Sequence, residues 1–568
     1  MVYNKSIMNF KKEIATLLGV QENLIAASPK EQMGDFSFAC FSLAKEMGKA
    51  PNLIAQDYKE KLAKNLPPFV EKVEVIGGYL NFFLNKPLVA PMILADAGKE
   101  FEYNDFGAGQ TVCIDYCSPN LAKFMHIGHF TNLAIGESLR RIYEKMGFDV
   151  KRICYVGDYG TPFGKMVVAI KEWGNLQDVK SQGIEAIQNL YIEFAKREEE
   201  NENLIEMARQ ASKNIEEKHG IDYEIYKEII NVAIDECKGI VAKVGVEFDD
   251  WRGESTYSNS IKPMVENLLD KNIARKENGA VIVDLTEDNL HVAVVQRSDG
   301  GSVYLTRDLC AVEDRFSLYN FSQMLYVVGQ EQKNHFSQLF RICSLLDKPY
   351  ANSLKHITYG LFSMPEGKIS SRKGKQALFT DLYNEGVASA KEVVKDKKFE
   401  FEKVEDVITK VARSSIAFSI LKVERNKEKV FDKDKIISFD GETAPYVQYT
   451  YARTCSLERK FRELDPSQNE KLPNEEIAQI YSQNFKMYKI LNNLDQMVKL
   501  AYDRAEPCYI AREIVDLCQE FNKFYHNVKI LNEKNYGLSS ILMQTVLAIK
   551  GKLAEMMPLV MLDLIEEM

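Results

Sequence analysis

Two short runs hold the side chains best suited to act on a phosphate. The first is Met125-His126-Ile127-Gly128-His129, with two histidines three residues apart around a glycine. If this run opens a helix, ring and backbone N–H groups and the positive end of the helix dipole converge on one anion. Gly128 would let a nucleotide approach the backbone closely. His126, Gly128 and His129 are therefore candidate phosphate-binding residues. Taken alone, the pattern also fits two incidental loop histidines. The second run, Gly367-Lys-Ile-Ser-Ser-Arg-Lys-Gly-Lys375, packs four cations into eight residues. Lys368, Ser370, Ser371 and Arg372 can offer charge-assisted donors to a triphosphate and stabilise charge on a leaving pyrophosphate. Taken alone, this run also reads as a solvated basic loop. No G-x-G-x-x-G is present, so a dinucleotide cofactor is not indicated.

The elements around these runs define their setting. TVCIDY (111–116) alternates like a strand, and apolar residues from Gly128 to Met146 recur at helical spacing. Gly147 stands where a C-cap belongs, and RICYVG (152–157) is a second strand. Strand, helix and strand in this order make a βαβ unit and imply a parallel sheet. Ligands bind such sheets at the carboxyl ends of the strands, where the first run lies. Residues 175–245 have helical periodicity and read as an insertion. The sheet pattern resumes at AVIVDL (280–285), HVAVVQ (291–296) and MLYVVG (324–329), and HITYGLFSM (356–364) leads into the basic loop.

The predicted fold class is α/β: a Rossmann-like parallel-sheet catalytic domain with a helical insertion, a small α+β N-terminal domain and an all-helical C-terminal domain. In the first domain, VEVIGGYLNFFL (73–84) reads as a hairpin turning at Gly77-Gly78, and the Gly34-Asp-Phe-Ser-Phe segment enters a helix. Expected boundaries are 1–95, 96–375 with the insertion at 174–250, a helical connector at 376–440, and 441–568. A fragment lacking 440–568 is expected to keep a folded nucleotide domain.

The chain has 568 residues, 45% hydrophobic and 27% charged, the balance of a folded soluble protein. No apolar run nears the ~20 residues that span a bilayer, and the N-terminal segment lacks a signal-peptide core. A cytoplasmic protein without membrane contact is expected. Ten cysteines lie scattered with no C-x-x-C, and seven histidines form no cluster with them, so neither structural zinc nor another protein-bound metal is expected. The net charge of −9 means that any RNA contact must use local basic patches.

An H-x-G-H after the first strand, paired with a K-x-S loop after the last, is the arrangement of class I aminoacyl-tRNA synthetases. The sequence resembles their arginyl family over nearly the whole chain. The resemblance is carried by Asp115-Tyr-Cys-Ser-Pro-Asn-Leu-Ala-Lys-Phe-Met-His-Ile-Gly-His129, Gly157-Asp-Tyr-Gly-Thr-Pro-Phe-Gly164, Tyr304-Leu-Thr-Arg-Asp308, Val328-Gly-Gln-Glu-Gln-Lys-Asn-His335, Lys368-Ile-Ser-Ser-Arg-Lys-Gly374 and Ala444-Pro-Tyr-Val-Gln-Tyr449. Two positions depart from the usual pattern: Ser371 stands where the wider class has lysine, and Tyr159 where tryptophan is common.

The resemblance implies an arginine–tRNA ligase that uses ATP with Mg²⁺ and charges tRNA(Arg). His126, His129 and Lys368 would be catalytic, and Gly128, Ser370, Ser371 and Arg372 would join them in holding ATP. It also implies transfer to a 2′-hydroxyl, and tRNA binding before activation. A planar guanidinium needs carboxylates and a flat face. Tyr304 and Asp308, at i and i+4, can stack on it and pair with it, and Asp115 can supply a second carboxylate. By resemblance, Asn120 and Gln332 hold the α-amino and carboxylate end, with Ser118 nearby. Tyr446, Tyr449 and Arg453 suit unstacked anticodon bases. A monomer is expected. Competing readings are a synthetase for another amino acid, a small-molecule nucleotidyltransferase, and a non-catalytic tRNA-binding protein. Tyr304 and Asp308 disfavour the first, the long helical C-terminus the second, and intact His126, His129 and Lys368 the third.

Overall fold

Strand Thr111–Cys117 is buried along almost its whole length, as a central parallel strand must be when helices cover both faces. It pairs in parallel with Asp149–Cys154 on one side and Gln323–Val327 on the other, and Leu354–Ile357 completes the sheet beyond. Helix Ile127–Lys145 crosses from the first strand to the second. It packs hard on the strand it leaves, because a Cβ at Gly136 would stand 2.2 Å from Tyr116 Cβ. Its C-terminal chain reverses at Gly147, φ +87°. The second strand is shorter than its sequence suggests. Tyr155-Val156-Gly157 leave it, and Gly157 bridges Asn120 instead.

This computed structural model describes residues 9–28, 30–360, 362–363, 378–395, 399, 403–430, 441–468 and 474–568. The chain forms two compact units. The larger comprises 103–449, 498–512 and 557–568, and the smaller 1–102, 450–497 and 513–556.

In the larger unit, the insertion is helical, as its periodicity predicts: Leu176–Gln182, Ile184–Glu198, Asn203–Glu216 and Gly220–Lys243. The strands at 280–285 and 291–296 do not join the parallel sheet. Ala280–Val283 and Ala293–Gln296 form a separate antiparallel sheet with Arg275–Glu277. Residues 557–568 fold back into this unit. Ser138 Oγ donates to Leu559 O at 2.5 Å, Arg141 donates to Pro558 O at 2.8 Å, and Arg413 holds Asp563 through two contacts of 2.6 and 2.7 Å.

In the smaller unit, a four-stranded antiparallel sheet runs in the order Ile25–Ala27, Phe36–Ala39, Tyr79–Leu84, Val70–Ile76. Gly77 and Gly78, at φ +55° and +86°, make the tight hairpin turn. The stretch from Gly34 to Ala44 does enter a helix, at Phe41, but only after a short strand, Phe36–Ala39, in which Phe36 and Phe38 lie opposite Phe82 and Leu80. Among the described residues no helix is long and apolar enough to cross a membrane.

Candidate active site

His126 and His129 cap the helix Ile127–Lys145 reciprocally. His126 Nδ1 accepts from Gly128 N–H at 3.1 Å, and His129 Nδ1 accepts from His126 N–H at 3.1 Å. With Nδ1 of His126 used as an acceptor, this bonding assigns its ring proton to Nε2, whereas Nδ1 of His129 also stands 3.3 Å from His126 O. Burial holds both rings neutral. It lowers the pKa of His126 and drives that of His129 down to about 3. Gly128 is needed here because a Cβ would come within 2.8 Å of the His126 ring. The helix start thus presents neutral donors. Lys368, Ser370, Ser371 and Arg372 lie outside the described residues. The chain that follows them returns to the histidines: Leu378 bridges His126, and Phe379 N–H donates to Met125 O at 3.1 Å.

A second group of side chains gathers around helix Tyr304–Tyr319. Asp308 accepts from His335 Nε2 at 2.6 Å. Tyr304, at its first residue, is 62% exposed and lines an open cleft of about 1200 Å³ with Asn120, Tyr159, Ser302 and Arg307. Asp115 is buried in an ion pair with Arg315, Nη1 to Oδ2 3.0 Å, and Ser118 Oγ stands 3.4 Å from its other oxygen. Burial, opposed by Arg315, leaves the Asp115 pKa at about 6. Glu254 is buried beside Arg307, Oε2 to Nε 3.0 Å, and burial raises its pKa to about 7. Asp158 is a further buried carboxylate, held by the Ser255 N–H and hydroxyl at 2.8 and 2.6 Å.

These groups share one field. Asp308 acts on both Asp115 and Glu254, and Asp158 acts on Glu254. Four carboxylates, Asp115, Asp158, Glu254 and Asp308, stand near two resident guanidinium groups, Arg307 and Arg315. Above them, the hydroxyls of Tyr155 and Tyr326 and Nε of Arg315 are buried with no hydrogen-bond partner. Buried polar groups rarely go unpaired, so among the described residues this region is suited to a polar guest.

Asn120 is fixed by its bridge to Gly157 and by accepting from Ala122 N–H at 2.9 Å, and it lines the same cleft. Gln332 is exposed at the end of the turn Gln330–Gln332, which follows the strand Gln323–Val327 and leads into the helix that carries His335.

Comparison with known proteins gives three consecutive matches. Residues 4–84 match the arginyl tRNA synthetase N terminal domain, 91–433 the tRNA synthetases class I (R) catalytic domain, and 447–568 the DALR anticodon binding domain. The arginine–tRNA ligase of Clostridium perfringens is 36% identical, with all of both chains covered. That of Halothermothrix orenii is also 36% identical, covering 92% of this chain and 94% of its own. The chain belongs to the arginine–tRNA ligase family. Its fold is that of the arginyl-tRNA synthetase of Thermus thermophilus, with a TM-score of 0.78 at 21% identity over 98% of this chain and 99% of that one.

Within the frame of this family, five side chains of the pocket escaped sequence reasoning. Arg307, His335 and Asp158 lie inside the quoted signature segments, but nothing in their spacing assigns them a contact. Arg315 lies two turns beyond Asp308 on the same helix. Glu254 follows Gly253 in an irregular stretch whose pattern carries no signal. Tyr449, inside the anticodon-binding match, and Tyr446, just before it, are half-buried in the larger unit, in helix Ala444–Arg462. Arg453, in the smaller unit, bonds Asn522 and lies over the Tyr525 ring at 4.4 Å.

Proposed function

We propose that the protein activates L-arginine with ATP and transfers it to the 3′-terminal adenosine of tRNA(Arg). The observation that carries the choice of arginine is the cluster of four carboxylates, Asp115, Asp158, Glu254 and Asp308, gathered beside two guanidinium groups and His335. Arginine brings a guanidinium, the planar cation that such a group of carboxylates can hold. Asp308 and Glu254 serve as the carboxylates for the guanidinium, and the open face of Tyr304 can stack on it. Asp115, engaged by Arg315, sits deeper, below Ser118. Asn120, Ser118 and Gln332 serve the α-amino and carboxylate end. The cleft of about 1200 Å³ exceeds the 300–1,000 Å³ of ordinary small-molecule sites, which leaves room beside the amino acid for a nucleotide and an RNA end.

In the first step the arginine carboxylate oxygen attacks the α-phosphorus of ATP. The bond to the β-phosphate bridging oxygen breaks, and pyrophosphate leaves. In the second, the ribose hydroxyl attacks the arginyl carbonyl and AMP leaves. No protein nucleophile is required, so positioning and electrostatics dominate. His126 and His129 offer neutral Nε2–H donors to the phosphates, and Lys368 with Ser370, Ser371 and Arg372 joins them. Mg²⁺ arrives as part of the nucleotide substrate. Tyr446, Tyr449 and Arg453 are the candidate anticodon contacts. Pyrophosphate exchange measured with each of the twenty amino acids, with and without tRNA, tests the reading. Exchange with arginine alone among them is expected. Exchange driven by another amino acid, or by none, would overturn it.

A further inference from the structure

We propose that Arg307 is a positioning residue: clamped between two tyrosine rings, its guanidinium holds Glu254 in place for the guanidinium of the substrate. The inference rests on the arginine site read above. Arg307 is only 6% exposed, although the cleft opens beside it. Its Cζ lies 4.6 Å from the Tyr304 ring centroid and 5.1 Å from that of Tyr159. Nη1 donates to Ser302 Oγ at 2.7 Å. Nε stands 3.0 Å from Glu254 Oε2, yet it is not aimed along a hydrogen bond, so the contact is ionic. Arg307 is thus anchored by rings and a serine that do not depend on Glu254. Glu254, in turn, meets a fixed cation on one oxygen and has the other available.

The charges facing Glu254 decide what that cation does. Asp308, on the same helix as Arg307, and Asp158, on the loop after the second parallel strand, both oppose ionisation of Glu254, and so does its burial. Tyr155 also faces it, and His335 acts at one remove through Asp308. Arg307 is the one group among these that favours the anion. Without it, nothing would offset burial, Asp308 and Asp158, and Glu254 would stay protonated to well above neutral pH and present a neutral acid to a cationic substrate. Arginine binding would then fail as pH falls through the raised pKa. The acid limb of the arginine kcat/KM profile would therefore move to higher pH.

The test compares full-length Arg307→Met, Arg307→Lys, Glu254→Gln and Asp308→Asn in pyrophosphate exchange across pH 5.5 to 9, with thermal melting alongside. Arg307→Met is expected to move the acid limb upward by about 1–3 pH units, the usual effect of one adjacent opposite charge on a carboxyl. At pH 7 its arginine KM should rise at least about tenfold, the equivalent of one such unit. The ATP KM should stay put, and the defect should shrink at pH 9. Arg307→Lys should restore the limb but not the full affinity, since an ammonium lacks the planar stack. An unmoved limb in Arg307→Met, with or without a lower melting temperature, overturns the proposal, because a purely structural role predicts that result. Tighter arginine binding also overturns it, since Arg307 would then be a competitor for the site. If Glu254→Gln and Asp308→Asn both leave the arginine KM unchanged, the site reading fails and this inference with it.

Discussion

Replacing Asp308 with asparagine removes one charge and almost no volume. If Asp308 holds the substrate's guanidinium, the variant leaves that cation against a neutral amide. Removing one partner of a buried charge pair costs on the order of 2–5 kcal/mol. Arginine kcat/KM should therefore fall by roughly 30- to several-thousand-fold, with the ATP KM nearly unchanged. Citrulline, neutral and almost isosteric, should lose far less. Equal losses for both substrates, together with a lower melting temperature, would make Asp308 a partner of His335 and nothing more. The phosphate end allows a different contrast. Because burial keeps His129 neutral, and its proposed role is to donate through Nε2, a neutral donor should replace it in part. His129→Ala is expected to lower kcat for activation by about 10²-fold or more, the scale of one lost transition-state donor, and His129→Asn by clearly less. If the two variants are equally impaired, the ring acts by charge or shape instead. Both histidines, Tyr304 and Asp308 were legible in the sequence because local spacing defines them. Glu254 and Arg315 were not, since they reach the pocket only through tertiary folding. Asp115 was legible as a site residue, but its pairing with a buried arginine 200 positions away was not.

The helix Ile127–Lys145 owes its position to a residue with no side chain. In an exposed helix, replacing glycine with alanine usually gains about 1 kcal/mol. At Gly136 the added Cβ would overlap Tyr116, and overpacking of this kind costs about 1–3 kcal/mol. The second effect is the larger, so Gly136→Ala should melt lower than the parent protein, and a higher melting temperature would contradict the close packing. Because His126 and His129 ride on this helix, the same variant should also weaken ATP use. Element identities were largely readable here: the first parallel strand, its helix and the insertion all stand where periodicity puts them. Sheet membership was less so. Ala293–Gln296 alternates buried and exposed, the mark of an antiparallel strand with one wet face, whereas Gln323–Val327 is buried nearly throughout. Apolar content made the two look alike, but the alternation separates them. At 36–39 the approach to a helix hid a short strand that pairs with Ile25–Ala27 on one side and with Tyr79–Phe82, forty or more residues downstream, on the other.

At the scale of the whole chain, the compact units do not follow sequence order. Residues 557–568 complete the larger unit, where Leu559, Val560, Leu562 and Ile565 are buried. At about 1.5–3 kcal/mol per buried aliphatic side chain, these four contribute roughly 6–12 kcal/mol. That rivals the 5–15 kcal/mol by which a typical domain is stable. Deleting 557–568 should therefore abolish arginine-dependent pyrophosphate exchange and destabilise the nucleotide-binding unit, even though the deleted residues lie far from the site in sequence. Full exchange by the shortened chain would refute this. The same contacts argue against the expectation that the nucleotide domain folds without 440–568, because periodicity gives no warning that a terminal segment returns to an early helix. The bond from Ser138 to Leu559 joins positions 421 residues apart. A ribosome adding about 5–20 residues per second makes the first of these roughly 20–85 s before the second. During that interval the flank of the signature helix has no cover, and a polypeptide released early cannot supply it. A chain stopped before residue 557 would therefore lack the cover that the helix bearing His126 and His129 needs, and would take no part in charging.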